Sequence, residues 1–354
     1  MRVQPDSLSQ AVAPSVPATT AKRQSTTHLI AVPACLIVLA LLCVASLALG
    51  TKPIAAERVL DLLLSPDGSE ESGIIHEMRL PRTEFGLVVG AALGVSGALM
   101  QGLTRNPLAD PGLLGVSAGA SLGVVVGTGL LGITAAHGYV WFAFLGALVT
   151  IALVYALGGA GKGGATPAKL ALAGAAVSAL LLSLVNAVLL FDAAALGDFR
   201  FWAVGSLTGQ TSAALSGILP FIAAGAVLAA FTAPALNKLA LGDSLATSLG
   251  QNVGMVRIRG AAAVTLLAGG AVALCGPIAF IGLVIPHLAR RITGPDHRWI
   301  CVYSALLGPC LLLAADLVGR LIARPDELHV GIVVTAVGAP FFIMSVRRRK
   351  LREL

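Results

Sequence analysis

The sequence is poor in charge and in aromatic side chains, and each shortage excludes a class of protein. Only 12% of its 354 residues are charged and 56% are hydrophobic, whereas an ordinary soluble domain is about 25% charged. A soluble core cannot bury that much apolar surface, so the chain must be surrounded by lipid. Aromatic residues make up 5%, but there are 41 glycines, which let helices pack closely inside a bilayer.

The sequence also lacks the residue patterns of catalysis and of metal binding. The six histidines form no ligand pair, and no Ser-His-Asp or paired-carboxylate arrangement is present. The stretch GGAGKGG at 158–164 departs from the phosphate-binding loop pattern, because Ala156 and Gly163 stand where that pattern requires Gly and Ser or Thr. We therefore expect no catalytic residues, no metal and no cofactor, and an ATP-driven process would need an ATPase on another chain. The five cysteines are interpreted as small core residues: Cys35, Cys43, Cys275, Cys301 and Cys310.

What the sequence has in abundance is apolar runs, and a helix needs roughly 20 such residues to cross a bilayer. Ten segments are predicted, at 29–50, 83–104, 112–131, 138–159, 170–191, 212–235, 260–276, 279–293, 299–321 and 331–346. The seventh and eighth are short, and CGPIAFIG between them predicts a broken helix. The transmembrane domain is thus expected at 29–346, after a disordered cytoplasmic tail at 1–28 and before a basic cytoplasmic tail at 347–354.

The basic residues indicate the topology. If the N-terminus is cytoplasmic, seventeen of the 24 Lys and Arg residues lie inside. The outside holds the others: Lys52, Arg58, Arg79, Arg82, Arg200, Arg320 and Arg324. This bias predicts that both termini are cytoplasmic and that the number of spans is even. The net charge of +7 therefore reflects membrane topology rather than nucleic-acid binding.

Two series of glycines are spaced by four residues, so that each series lines one face of a helix. The first comprises Gly86, Gly90 and Gly94, and the second comprises Gly115, Gly119, Gly123 and Gly127. Close approach of helix backbones is the favoured interpretation, and direct contact with a ligand is the alternative. We expect these glycines to hold the helices that line a transport pathway.

A carboxylate lies within the ninth apolar run. Asp316 is costly at that depth without a partner, and Arg320 follows one helical turn later. The simplest interpretation is a local ion pair. The alternative is that Asp316 orients Arg320 toward something outside the membrane.

Arg79 and Arg82 stand on either side of Pro81, at the start of the second apolar helix. Proline suits the first turn of a helix, but arginines at a helix N-terminus oppose the helix dipole. Three explanations remain open. The arginines reach to the membrane interface, they bind carboxylates of a partner protein through forked pairs, or they pair with acids of the outer loops. Those acids include Glu57, Asp61, Glu70, Glu71 and Glu77.

Four long motifs carry a resemblance to a known family: RLPRT (79–83), GALMQGLTRNPLADPGLLGVSAGAS (97–121), GPIAFIGLVIPHLARRITGPDHRW (276–299) and GAPFFI (338–343). They resemble the FecCD family, the permease subunits of ABC importers for ferric siderophores, haem and cobalamin. The resemblance covers about 29 to 350. FRFWAVGSL at 199–207, together with TRNPLADPGLLG and GPDHRW, is most similar to ferric-enterobactin permease subunits.

The resemblance implies an all-α polytopic membrane protein with about ten transmembrane helices and the BtuC-like fold of type II ABC importer permeases. It implies a place in the bacterial cytoplasmic (inner) membrane. The implied partners are two copies of an ABC ATPase, an extracytoplasmic siderophore-binding protein and a second permease subunit, with a heterodimer favoured over a homodimer. Haem or cobalamin is the alternative cargo. A stand-alone secondary carrier is the alternative class, but it would usually carry more ionisable residues within its helices.

The resemblance also implies two sites. Arg79, Arg82 and Arg320 match arginines that bind acidic residues of the binding protein, and the inside segment 239–258 matches the coupling helices that seat in the ATPase. Paired Leu-Gly turns and small and apolar residues suit that segment to a partner's groove. Its candidate coupling residues are Leu241, Gly242, Asp243, Ala246, Leu249 and Gly250. One departure is ELHVG at 327–331, because relatives commonly have Pro in place of His329, which leaves the shape of this loop open.

Overall fold

A computed structural model describes residues 19–133, 135–160, 166–209 and 211–350, and this part of the chain is almost entirely helical. The α-helices are α1 (Thr19–Ala48), α2 (Ala56–Leu64), α3 (Glu70–Gly73), α4 (Leu80–Thr104), α5 (Val116–Val125), α6 (Ala136–Gly159), α7 (Pro167–Phe191), α8 (Ala193–Val204), α9 (Ser212–Leu239), α10 (Asp243–Ser248), α11 (Val253–Cys275), α12 (Ile281–Thr293), α13 (His297–Ile322) and α14 (Val330–Lys350). Short π-helical turns occupy Ile74–Arg79 and Val126–Leu130, and a 3-10 turn occupies Pro111–Leu114.

Seven helical segments within the described ranges are long and apolar enough to cross a membrane: Ile30–Ala48, Glu70–Thr104, Gly138–Gly159, Ala168–Phe191, Ser212–Leu239, Val253–Cys275 and His297–Ile322. Shorter apolar helices cover Val116–Leu130 and Val330–Met344, and α12 lies over the eighth predicted segment. The predicted multi-pass helical architecture is therefore confirmed. The number of ten spans and the side on which the termini lie remain predictions.

The terminal helices extend beyond the predicted boundaries of the membrane domain. α1 begins at Thr19, inside the segment predicted to be a disordered tail, and α14 continues to Lys350, into the predicted basic tail. No Gly or Pro lies at 19–29 or 345–350 to stop a helix, so the membrane helices continue as polar helical turns. Residues 1–18 and 351–354, and 161–165 of the GGAGKGG connection, lie outside the described residues.

α4 is the central helix of the bundle. It is buried along most of its length and contacts α9, α11, α12 and α13. Gly86, Gly90 and Gly94 face α13. A β-carbon at Gly90 would lie 2.6 Å from the Cα atom of Pro309, so the backbones of α4 and α13 approach too closely for any side chain there.

The second glycine series lies largely between α5 and α6. Gly119 faces the carbonyl oxygen of Gly146, and Gly123 faces that of Phe142. The two end members differ. Gly115 immediately precedes α5 and has φ +79°, which favours glycine, and a β-carbon at Gly127 would make only ordinary contact with the Phe142 ring. Glycines of both series therefore lie where the backbones of neighbouring helices approach each other most closely: α4 and α13 for the first series, and α5 and α6 for the second.

The chain is broken between α11 and α12, as CGPIAFIG predicts. Gly276 ends α11 with φ +73°, and Phe280 precedes α12 with φ +68°, an unusual value for a bulky residue. The amide of Ser206 donates to the carbonyl oxygen of Cys275 at 2.8 Å. The broken segment is thus bonded to the connection before α9, which provides a partner for a backbone group freed by the break.

Candidate docking and coupling sites

The outer end of the bundle, as the charge distribution assigns it, is where α1 ends and α4 begins. α1 has no basic residue in its last turn, so its final carbonyl groups need donors from elsewhere in the chain. Arg79 supplies them: its Nη1 donates to the carbonyl oxygens of Leu47 at 2.6 Å and Ala48 at 3.0 Å, and its Nη2 donates to that of Lys52. Arg79 precedes α4, but its charge lies at the negative end of the α1 dipole, where a cation is favourable.

Arg320 binds the same helix end from α13. Its Nη1 donates to the carbonyl oxygens of Ser46 at 3.0 Å and Leu49 at 3.1 Å, and its Nη2 donates to the Ser46 hydroxyl at 2.9 Å. Arg324 donates to the carbonyl oxygen of Gly50 at 2.7 Å. Three arginines distant in sequence from α1 therefore stabilise its end.

An ion-pair network adjoins these contacts. Arg82 donates through Nε and Nη2 to Oδ1 of Asp316, at 3.0 and 2.7 Å, and through Nη1 to Oε2 of Glu327 at 2.6 Å. Nη2 of Arg320 lies 3.0 Å from Oδ2 of Asp316, which confirms the predicted pair between these two residues. Asp316 therefore bridges two arginines and does not direct Arg320 away from the bundle.

The three arginines predicted to dock a partner come together around one cavity of about 510 Å³, which they line with Lys52, Glu77, Thr208 and Glu327, among others. Their exposure is low: 6% for Arg79, 9% for Arg82 and 2% for Arg320. Most of each guanidinium group is thus already engaged within the chain. Arg82 differs from the other two in having a carboxylate partner that is open to solvent, because 36% of the Glu327 side chain is exposed.

Two of the acids considered as partners for these arginines pair with other basic residues instead. Glu70 pairs with Lys52 at 2.9 Å, and Glu71 pairs with Arg58 at 3.4 Å. Arg58 also binds Asp67, and hydrogen bonds from Ser69 and then from Arg58 lower the pKa of Asp67 to about 2. Sequence reasoning missed Glu327, although it lies in the quoted ELHVG motif, and it missed the α1 carbonyl groups, which leave no signal in a sequence.

His329, the residue that departs from the family pattern, lies at the start of α14. Its ring packs edge-on against Phe201 of α8, with the ring centroids 6.3 Å apart. The side chain is half-buried. The histidine therefore packs the connection before α14 against α8.

The predicted coupling segment, 239–258, contains α10 and the start of α11. α10 lies between turns at Gly242 and Gly250, whose φ values of +112° and +75° favour glycine. Asp243, at the start of α10, binds Arg105 and also Arg257, the latter at 2.8 Å. These ion pairs attach α10 to the end of α4 and to α11. The short helix is thereby held at the end of the bundle opposite the cavity, which the charge distribution assigns as the inner end.

Three exposed leucines lie on α10 and on either side of it. Leu241, Leu245 and Leu249, spaced by four residues, are each more than half exposed, and we call them the leucine row. Ala246, predicted to take part in coupling, is instead fully buried, because it lies on the opposite face of α10. Leu245 was missed, although its four-residue spacing from Leu241 and Leu249 was visible in the sequence.

A bundle of apolar helices, with an ion-paired cavity at one end and an exposed leucine row at the other, defines a multi-pass membrane permease. Residues 37–348 match the FecCD transport family, and the chain belongs to that family. It is thus a transport subunit of the bacterial cytoplasmic membrane, with the fold of the BtuC-like ABC importer permeases.

Two relatives and one solved structure illustrate the similarity. The chain is 45% identical over 324 residues to the ferric enterobactin transport system permease protein of Escherichia coli (strain K12), covering 91% of this chain and 96% of the relative. It is 41% identical over 327 residues to a probable siderophore transport system permease protein of Bacillus subtilis (strain 168), covering 92% and 98%. An inward-facing metal-chelate type ABC transporter shares its fold with a TM-score of 0.77 at 26% identity, covering 92% of this chain and 99% of that one.

Proposed function

We propose that this protein is the permease subunit through which a ferric siderophore of the catecholate, enterobactin type crosses the cytoplasmic membrane. The observation that carries the proposal is the 45% identity to a ferric enterobactin permease along nearly the whole chain. The transporter contains two copies of an ABC ATPase, receives its cargo from an extracytoplasmic siderophore-binding protein and is completed by a second, different permease chain.

The cargo is tested by uptake in a strain that lacks its own catecholate permease. The strain receives this chain with its partner subunits and is offered radiolabelled iron as the enterobactin, hydroxamate or citrate complex, or cobalamin or haem. Uptake of ferric enterobactin alone supports the proposal. Uptake of haem or cobalamin instead assigns the alternative cargo, and uptake that persists without ATP hydrolysis assigns a stand-alone carrier.

We infer that the binding protein docks at the outer cavity and that Arg82 is its main charged contact. Arg79 and Arg320 are largely committed to the end of α1, whereas Nη1 of Arg82 faces the exposed Glu327. Arginine can bind two carboxylates in a fixed fork, which a lysine ammonium cannot reproduce. Arg82 is therefore suited to hold Asp316 and a partner's carboxylate together.

The docking contact is tested with Arg82→Lys, because charge reversal would place a carboxylate against buried Asp316 and damage the fold. We expect the folded variant in nanodiscs to bind the binding protein about tenfold more weakly at low ionic strength, since a forked contact is lost. Arg58→Lys, which alters an exposed ion pair at the same end, is the matched control. Equal affinity of the two variants would restrict Arg82 to a structural role.

We also infer that α10 couples transport to the ATPase at the inner end of the bundle. The exposed leucine row is a suitable contact for an apolar groove on a partner. The ion pairs of Asp243 with Arg105 and Arg257 connect α10 to α4 and α11, so that movement of α10 reaches the core of the bundle. We propose that the two glycine series hold the helices along which the cargo passes.

A further inference from the structure

The two carboxylates that bind Arg82 differ in exposure. The side chain of Asp316 is 1% exposed and accepts two hydrogen bonds, whereas that of Glu327 is 36% exposed and accepts one. Opening the buried pair would strand a carboxylate inside the bundle, whereas Glu327 is part-exposed and can return to solvent at a lower cost. Glu327 is therefore the partner that Arg82 can release.

The charges around Arg82 favour replacement of Glu327 by a partner's carboxylate over the binding of a further carboxylate beside it. Arg82, Arg320, Asp316 and Glu327 form a connected set of two cations and two anions. A further carboxylate arriving at Arg82 would lie beside Glu327, and like charges at such an interface repel. The same arrival is favourable if Glu327 moves away, because Nη1 of Arg82, which Glu327 now occupies, is then free for the arriving carboxylate.

We propose that Glu327 occupies the docking position on Arg82 in the resting permease and that an acidic side chain of the binding protein displaces it. This proposal rests on the docking function proposed above. Glu327 acts as an internal competitor and so lowers the affinity for the binding protein. It is bound to Arg82 in the free permease and released when the binding protein is docked.

The position of Glu327 connects this exchange to α14. Glu327 lies in the connection between α13 and α14, three residues before α14 begins at Val330. The amide of Leu328 donates to the carbonyl oxygen of Gly319 at 3.2 Å, and the amide of Gly331 donates to that of Gly205 at 3.1 Å. Release of Glu327 removes a side-chain contact from this short connection, so docking changes how the outer end of α14 is held.

The exchange is tested by binding measurements on the complete transporter in nanodiscs. The probe is the purified binding protein that supports uptake with this permease. Glu327→Gln removes the competing charge, and we expect it to tighten binding about three- to tenfold at low ionic strength. The gain should shrink as salt screens the charges.

Glu77→Gln is the matched control. Glu77 lines the same cavity, and within the described chain it forms no ion pair, so this variant removes the same charge without freeing Arg82. Tighter binding by Glu327→Gln than by Glu77→Gln supports the exchange. Equal binding by the two variants, or weaker binding by Glu327→Gln, overturns it.

A second measurement follows the connection itself. Asp326 is exposed, whereas Cys275, Cys301 and Cys310 are buried and Cys35 and Cys43 are half-buried, so Asp326→Cys provides a reactive site for a spin label. We expect the binding protein to make this label more mobile. In the Glu327→Gln background the label should already be mobile before the binding protein is added. A label whose mobility is the same in all these states contradicts displacement.

The Arg82→Lys and Glu327→Gln variants distinguish docking at Arg82 from exchange of Glu327. If Arg82→Lys binds the binding protein as tightly as the unmodified permease does, the docking function is wrong. If Arg82→Lys binds weakly but Glu327→Gln behaves like Glu77→Gln, docking stands and only the exchange is wrong.

Discussion

Arg82 and Asp316 are 234 positions apart in the chain, yet the guanidinium group of Arg82 donates two hydrogen bonds to one carboxylate oxygen of Asp316, at 3.0 and 2.7 Å. The other oxygen of this carboxylate, Oδ2, lies 3.0 Å from Nη2 of Arg320. One carboxylate therefore joins α4 to α13 and balances two arginines, in surroundings where an unpaired charge would be strongly unfavourable.

Asp316→Asn should destabilise the protein more than any change to an exposed ion pair. It leaves two nearly buried arginines without their shared counter-charge, and breaking a buried pair costs about 3–5 kcal/mol. Thermal unfolding of the purified protein in detergent measures the loss. Glu70→Gln, which breaks the exposed pair with Lys52, is the control and should change stability little. Similar losses in both variants would mean that the buried network contributes no more than a surface pair.

Arg79→Lys should weaken the attachment of α1, although it keeps the charge. An ammonium group cannot reproduce the spread of donors that reaches Leu47, Ala48 and Lys52 together. We expect a loss of about 1–2 kcal/mol, comparable to one or two hydrogen bonds. Hydrogen exchange at residues 46–50 should rise in Arg79→Lys and remain unchanged in Lys52→Gln. Unaltered exchange in both would mean that the end of α1 does not depend on the hydrogen bonds from Arg79, since Arg320 and Arg324 also bind it.

Gly119→Ala should separate α5 from α6. The added methyl group would overlap the carbonyl oxygen of Gly146, which belongs to the backbone and cannot rotate away. Overpacking of this kind costs about 1–3 kcal/mol. We expect lower thermal stability and lower uptake. Gly73→Ala, where nothing lies within 4 Å of the new methyl group, is the control and should retain both.

Leu245→Glu should abolish co-purification with the ATPase while the permease remains folded. The side chain is 56% exposed, so a charge there remains solvated in the free subunit but opposes burial in an apolar groove. Ala246→Glu should behave differently, because Ala246 is fully buried and its charge would disrupt the packing of α10. We expect a reduced yield of folded protein from that variant. A Leu245→Glu permease that still binds its ATPase would exclude the leucine row from the contact.

The amino-acid sequence alone determined the class of architecture. Apolar runs of membrane-spanning length force the backbone to form hydrogen bonds within helices, because lipid offers no other partners. The break at 276–280 and the pairing of Asp316 with Arg320 were also legible, since both depend on residues close together in the chain. Such local effects need no knowledge of which helices are neighbours.

The tertiary structure decided the partners that come from distant parts of the chain. Arg79 lies against α1, and Arg82 binds Asp316 and Glu327, because packing brings α1, α4 and α13 together at one end of the bundle. It likewise turned Ala246 inward and Leu245 outward, because α10 packs against α9 and α11 on the side of Ala246. A sequence shows which side chains need a partner, but the partner is set by helix packing, which depends on the shape of all the contacting surfaces at once.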